Sequence, residues 1–337
     1  MHLPAGKLPP ELLRGVLSRI RISDPAVLLG GAVGEDAAVI DLGAPELLVA
    51  KTDPITFASQ NLGDYLLWVN GNDLATMGAE PRWILVTTLL PEKIEEGQAK
   101  EILDGLVESC ERAGIALVGG HTEITVGLDR PIVVGCLLGT VARDRLVRTS
   151  GARVGDAILL AGGIAIEGSA LLAREQSDSL LARGVEPDVI ERARGWLHDP
   201  GISVLPAARI LTASHAVHSM HDPTEGGLFT ALHELAEAAG VGLVVDAGAI
   251  PVLLECARIC EALGLDPGGL LASGALLATL DDSEVDGALA GLGVAGIPAK
   301  RIGQITPSGQ GRLLERDGRW EPLPAFARDE LARYLES

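Results

Sequence analysis

The stretch Val69-Asn70-Gly71-Asn72-Asp73-Leu74-Ala75-Thr76-Met77-Gly78-Ala79-Glu80-Pro81 constrains the fold more than any other. It reads as the end of an amphipathic helix that begins near Asn61, with Leu62, Leu66, Val69 and Met77 on one buried stripe. Asp73 falls on that stripe, midway between Val69 and Met77. A carboxylate there loses hydration and needs a cation, a cluster of donors or a proton. Either backbone N–H groups or an arginine satisfy it structurally, or it holds a cation for function.

Composition narrows the classes. With 337 residues, 47% of them hydrophobic, the chain has material for two domains and a sizeable core. Aromatics make up only 3%, so that core is built from Leu, Val, Ile and Ala. The net charge of −19 argues against nucleic acid or an anionic membrane as a partner. An anionic small molecule stays open, because bound metal ions override the global field locally. Cys110, Cys136, Cys256 and Cys260 form no Cys-x-x-Cys pair. Cys256 and Cys260, one helical turn apart, read as small core residues, with a zinc pair as the alternative. With no secretory signal and no apolar run of membrane-span length, the expectation is a cytoplasmic protein in a reducing compartment.

Along the chain, a short helix is expected over Pro10–Arg19, a glycine-bearing turn to Gly34, and a strand through Ile40. A second strand, Glu46–Lys51, is expected to end at Thr52-Asp53-Pro54, since proline is disfavoured in a central strand. After the Asp73 helix come a strand Arg82–Leu90, a long helix opened by Pro91 and running to Ala113, a short buried strand Ile115–Val118, and a strand Pro131–Val141. The order β-β-α-β-α-β-β is an alternating α/β (α+β) one without a Gly-x-Gly-x-x-Gly fingerprint. A boundary near Arg148–Gly151 gives domains of residues 1–150 and 151–337. In the second, strands at 156–160, 216–220, 242–245, 275–280 and 299–305 alternate with helices at 167–174, 204–213, 228–239, 253–263 and 284–292. The charged segment Gln176–Pro200 reads as peripheral helical pieces.

Five acidic residues share a setting at strand ends or helix starts beside small residues: Asp36, Asp53, Asp73, Glu123 and Asp222. Hard oxygen ligands on several loops suit Mg²⁺ bound to phosphates, an ion that keeps waters and phosphate oxygens around a few carboxylates. Each alone is equally an ordinary cap or turn residue. Gly119-Gly120 reads either as a close approach for phosphate or as a plain strand-exit turn. Gly226-Gly227 either leaves room for an anion at a helix start or simply follows an Asp222 or Thr224 cap. His121 is a candidate base or a hydrogen-bonding structural residue. Lys51, beside Asp53, either reaches a phosphate or lies at the surface. Serine-hydrolase and P-loop patterns are missing.

At these same residues the sequence resembles the AIR synthase superfamily, which is related to phosphoribosylaminoimidazole synthase. Gly34-Glu35-Asp36-Ala37-Ala38-Val39-Ile40, Thr52-Asp53 and Asn72-Asp73-Leu74-Ala75-Thr76-Met77-Gly78-Ala79 resemble its acidic motifs. Asp222-Pro223-Thr224-Glu225-Gly226-Gly227-Leu228 and Leu271-Ala272-Ser273-Gly274 resemble the hydrogenase maturation (HypE) branch. The resemblance implies a two-domain α/β fold whose N-terminal sheets join in a homodimer, with ATP and Mg²⁺ bound near the interface. It implies that Asp36, Asp53 and Asp73 hold Mg²⁺ with ATP and carries Glu123 and Asp222 over with them, while Lys51, Asn72, Gly119, Gly120, Gly226 and Gly227 are expected around the nucleotide. Asp73, His121 and Glu123 would serve catalysis. The implied reaction is phosphoryl transfer that activates an amide or carboxamide oxygen of a small molecule or partner protein. A non-catalytic ATP-binding maturation or regulatory protein and a thiamin-monophosphate-type kinase are the alternatives. HypE members end in Pro-Arg-Ile-Cys, whereas this sequence ends Arg333-Tyr334-Leu335-Glu336-Ser337, so the self-modifying HypE reaction is not expected. Several relatives also carry an acidic residue at the His121 position, which bears on metal stoichiometry.

Overall fold

The computed structural model describes residues 10–17, 19–32, 34–56, 58, 60–214 and 216–335. The chain divides into two compact units, one of residues 22–30 and 36–146 and one of residues 1–21, 31–35 and 147–337. Both are mixed α/β. The first element, α1 (Pro10–Leu17), belongs to the larger unit.

The smaller unit carries β1 (Val27–Leu29), β2 (Ala38–Ile40), β3 (Glu46–Ile55), α2 (Leu62–Thr76), β4 (Glu80–Pro91), α3 (Glu96–Ala113), β5 (Ala116–Thr125) and β6 (Ile132–Ala142). Its sheet has the order β1-β2-β3-β6-β4-β5. Only the β4–β5 pair is parallel. The helix α2 packs on β3 and β6 and against α3. It is not amphipathic as expected: twelve of its fifteen residues are buried, Asn70, Asn72 and Asp73 among them. The helix stops in a Schellman turn. Gly78 adopts φ 72°, a region open to glycine, and the Ala79 N–H reaches back to the Leu74 carbonyl.

Three local expectations are corrected. Pro54 does not end β3, which pairs with β6 through Ile55. The β2 pairing stops at Ala50, so Pro54 sits where that side of the strand has no ladder to interrupt. Pro91 does not open α3, because it is still paired with Thr125 in β4. The helix starts five residues later behind a Glu95–Gln98 capping box. The strand after α3 is neither short nor buried. As the sheet's edge strand, β5 is exposed along nearly its whole length, with Val118 54% and Ile124 61% accessible.

The larger unit continues with β7 (Ala157–Ala161), α4 (Ile166–Glu175), α5 (Ser177–Ala182), α6 (Pro187–Gly195), α7 (Leu205–Ser214), β8 (Val217–His221), α8 (Gly227–Ala239), β9 (Gly242–Asp246), α9 (Leu254–Leu263), β10 (Leu276–Leu280), α10 (Val285–Val294), β11 (Ala299–Thr306), β12 (Arg312–Arg316), β13 (Arg319–Pro322) and α11 (Glu330–Leu335). The sheet order is β13-β12-β9-β11-β7-β10-β8. Strands β7 and β10 are buried at every residue, as strands covered on both faces are. Leu228, Leu232 and Leu235 of α8 close one face over Ile158, Leu160, Val245, Leu277, Ile302 and Ile305. The segment 176–200 is not peripheral: Leu180, Val189, Ile190, Ala193, Trp196 and Leu197 are buried, and α6 packs on α4 and α9. Cys256 and Cys260 are buried free thiols, as a core reading expects.

Glu167 and Asp329 are buried in this unit and, among the described residues, neither meets a salt-bridge cation. Burial pushes Glu167, on the first turn of α4, up to about 7. The hydroxyl of Ser273 opposes that rise, while Asp329 and Glu225 add to it. Burial pushes Asp329 up to about 6 against backbone donors that include Gly226 and Leu331. A carboxyl whose folded value is raised stabilises the fold fully below its unfolded value, and that stability is lost as pH rises through the folded value. For Glu167 the rise from 4.5 to about 7 corresponds to about 3 kcal/mol. Urea unfolding should therefore show stability falling between about pH 4.5 and pH 7, with a flatter profile in Glu167→Gln.

Candidate functional site

The alternation of β3 places Leu47, Val49, Lys51, Asp53 and Ile55 on one side of the strand. Leu47, Val49 and Ile55 are buried, so this side faces the core and α2, and Lys51 and Asp53 are carried inward with it. From α2, Asp73 meets them. The Lys51 ammonium lies 3.1 Å from Asp73 Oδ2 and 3.3 Å from Asp53 Oδ2. Asp36, buried just before β2, acts on the same ammonium. Burial favours the neutral amine, but Asp73, then Asp53 and Asp36, together outweigh it. They hold the ammonium protonated well above the ordinary lysine range. Asp53 on a strand and Asp73 on a helix thus contact one cation, and Asp36, in a loop, acts on it through its charge. Asn72 is buried beside Asp73.

The other expected residues fall elsewhere. His121 and Glu123 project from the exposed edge strand and pair with each other at 3.1 Å, and Thr125 donates to Glu123 at 2.7 Å. The Thr125 hydroxyl, then His121, hold the Glu123 carboxyl below its usual range. Across the sheet, Asp53 aligns with Gly135, Gly135 with Val86, and Val86 with Gly120. At strand spacing, β5 therefore stands about 14 Å from β3, and within one chain His121 and Glu123 do not join the cluster. Gly119 and Gly120 lie inside β5 rather than in a turn. At Gly120 a Cβ would fall 1.8 Å from the Val86 carbonyl oxygen, so close approach of the β4 backbone accounts for this glycine.

Asp222, Gly226 and Gly227 belong to the larger unit, where Asp222 is buried at the end of β8. The Gly226 N–H at the start of α8 donates to Asp329 at 2.6 Å, so a carboxylate of the chain itself sits at that helix N-terminus. A further polar cluster escaped sequence reasoning: His218 donates from Nδ1 to Asp156 at 2.9 Å. The Arg153 guanidinium, a donor only, lies 2.9 Å from Nε2. Both ring nitrogens are thereby used. A broad groove over α3, about 1550 Å³ and lined by Lys93, Lys100, Glu101 and Glu108, includes none of the four residues of the Lys51 cluster.

A two-domain α/β fold with Asp-rich motifs in its N-terminal sheet domain defines a class. Residues 34–141 match the model of the AIR synthase related protein N-terminal domain, and residues 153–315 that of the C-terminal domain. The chain belongs to the AIR synthase related proteins. Within that family it is 31% identical over 287 residues to the carbamoyl dehydratase HypE of Cupriavidus necator, covering 82% of this chain and 78% of that protein. It is 29% identical over 327 residues to a hydrogenase expression/formation protein of Methanocaldococcus jannaschii, covering 94% and 92%. Among solved structures, the hydrogenase maturation protein HypE in complex with ATP matches with a TM-score of 0.71 at 23% identity, covering 98% of each chain.

Because Lys51 neutralises a mutually repelling set of carboxylates, Lys51→Met should lower stability by about 2 kcal/mol in divalent-free buffer. Thermal unfolding with and without Mg²⁺ checks this. The ion is expected to raise the melting temperature of the variant more than that of wild type.

Proposed function

We propose that this chain binds ATP with Mg²⁺ at Asp36, Asp53 and Asp73 and transfers the γ-phosphoryl group to an amide or carboxamide oxygen. The acceptor is a small molecule or a partner protein. The observation that carries this reading is the meeting of Asp73 and Asp53 on the Lys51 ammonium, 3.1 Å and 3.3 Å from separate elements, with the charge of Asp36 acting on the same ammonium. Asp53 and Asp73 suit the ion in kind: their donors are hard oxygens, few in number, and already in contact with a cation. When bound at these carboxylates, Mg²⁺ would neutralise the charge that develops on the transferring phosphoryl group.

The chain's own residues supply the rest. Asp36, Asp53 and Asp73 orient the metal-bound triphosphate from three directions. Lys51, once released from its carboxylates, is free to meet a phosphate oxygen. Asn72, buried beside Asp73, narrows the space around it. In the transfer, the acceptor oxygen forms a bond to the γ-phosphorus while the bond to the β,γ-bridging oxygen breaks, and ADP leaves. Catalysis rests on positioning and charge neutralisation rather than on a covalent intermediate. Support for the nucleotide comes from the HypE of this fold that is known in complex with ATP.

The reading includes a homodimer. The β5 edge is open, and Val118, Ile124 and Val126 are exposed along or beside it, a pattern that a second copy's strand would cover. Pairing there would bring His121, Glu123, Gly119 and Gly120 to the interface. Asp222, Gly226 and Gly227 are assigned to the acceptor or nucleotide side by resemblance. The four free cysteines fit a reducing, cytoplasmic setting. A second reading, a non-catalytic ATP-binding maturation protein, is favoured by one observation: within one chain, no candidate base among His121 and Glu123 stands beside the cluster.

Calorimetric titration of Mg²⁺-ATP into wild type and Asp73→Asn, with nucleotide products assayed in the same samples, separates these readings. The expected result is binding by wild type, loss of about tenfold or more in a folded Asp73→Asn, and ADP formed with a carboxamide acceptor. Binding without turnover, with every acceptor tried, would favour the non-catalytic reading. No binding by folded wild type would contradict both.

A further inference from the structure

We propose that Asn70 is a positioning residue of the metal site, its carboxamide standing in for the β-strand that β3 lacks beside Asp53. The inference rests on the reading that Asp36, Asp53 and Asp73 hold Mg²⁺.

The strand β3 is paired along its whole length by β6 on one side. On the other side β2 pairs from Leu48 to Ala50, and among the described residues no strand pairs the segment from Lys51 onward there. The peptide groups facing that side still need partners. Asn70 supplies those of Asp53. Its Oδ1 accepts the Asp53 N–H at 2.9 Å, and its Nδ2 lies 3.4 Å from the Asp53 carbonyl oxygen. This is the donor–acceptor exchange that a residue of a neighbouring antiparallel strand would make. The same Nδ2 donates to the Leu66 carbonyl at 2.9 Å, which fixes the side chain against its own helix. Asn70 is fully buried, and Gly135 beneath it leaves the room, since a Cβ there would lie 3.0 Å from Nδ2.

The consequence is geometric. Asn70 lies one turn before Asp73 on α2 and grips the backbone of Asp53 on β3. One side chain therefore sets the offset between the two elements that carry two of the three carboxylates. The Lys51 ion pairs span the same gap through side-chain tips, and a metal would displace them. The Asn70 clamp acts on the backbone and survives that exchange. Mg²⁺ demands near-ideal octahedral geometry, so a looser offset weakens the ion more than the nucleotide.

The test compares wild type, Asn70→Leu, which is nearly isosteric and cannot hydrogen-bond, and Leu106→Ala, a core truncation in α3 of the same unit. Three readouts are taken: Mg²⁺ affinity at saturating non-hydrolysable ATP analogue, analogue affinity in EDTA, and hydrogen exchange of the Asp53 amide without metal. The expected result for Asn70→Leu is about tenfold weaker Mg²⁺ binding, faster Asp53 exchange and unchanged analogue affinity in EDTA. Leu106→Ala should lose stability and keep Mg²⁺ affinity. If Asn70→Leu fails to fold, Asn70→Ser, whose hydroxyl is too short to span to Asp53, is expected to show the same pattern. The inference is overturned by wild-type Mg²⁺ affinity in the folded Asn70 variant, or by an equal loss in Leu106→Ala, which would mark a general stability effect. Absence of Mg²⁺ binding in wild type would overturn the metal reading itself and this inference with it. That outcome is distinguishable because the wild type is measured alongside.

Discussion

The smaller unit depends on one arrangement, the Lys51 ammonium held between Asp73 and Asp53 with Asp36 beside it. Two like charges about 4 Å apart repel by about 4 kcal/mol at an effective protein dielectric, so three carboxylates do not gather without a cation. The ammonium makes their gathering tolerable, and the surrounding structure fixes where it happens. Strand alternation turns Lys51 and Asp53 toward α2. Burial of α2 over most of its surface leaves Asp73 little conformational freedom. The Schellman turn at Gly78 returns the chain into β4, so that α2 is pinned at its C-terminal end close to the cluster. A site that already holds a positive charge among oxygen donors needs little rearrangement to accept another cation in its place.

The larger unit buries carboxyl groups by a different physical route. Among the described residues Glu167 and Asp329 have no ammonium or guanidinium partner; burial raises both, and hydroxyl or backbone donors satisfy them in part. Asp329 also ties the C-terminal segment to the Asp222–Gly227 loop through Gly226, while Glu330 accepts the Asp266 N–H at 2.9 Å and pairs with Arg333 at 2.7 Å. Phe326 stacks near Phe229 at 6.4 Å, adding an apolar contact to the same seam. The chain thus gathers carboxylates around a cation in the smaller unit and satisfies Glu167 and Asp329 by hydrogen bonding in the larger one.

Most elements are legible from apolar periodicity and glycine or proline punctuation, and Asp36, Asp53 and Asp73 stand out together from their local setting, whereas Lys51 reads equally as a surface lysine, because its ion pairs exist only once α2 packs on β3. What escaped has physical causes. The exposure of β5 could not be read from Ile115-Ala116-Leu117-Val118, because an apolar run looks the same on a covered strand and on an edge. The end of β3 was misplaced because proline's effect depends on which side of the strand is paired. The β12–β13 hairpin was missed although Asp317-Gly318, both at positive φ, is a recognised hairpin-turn signal. Glu167 was read only as a helix start, because nothing local announces that Ser273 and Asp329 come to it from distant segments. The Asn70 contact to Asp53 is not legible locally, since it exists only against a strand whose pairing with β2 ends at Ala50.

The most direct test of the central claim is anomalous diffraction from crystals grown with Mn²⁺ and a non-hydrolysable ATP analogue. The account predicts a manganese peak within bonding distance of carboxylate oxygens of Asp36, Asp53 and Asp73, bridged to analogue phosphate oxygens, with the Lys51 ammonium moved off Asp73. Nucleotide and metal bound elsewhere, with Lys51 still paired to Asp53 and Asp73, would contradict it.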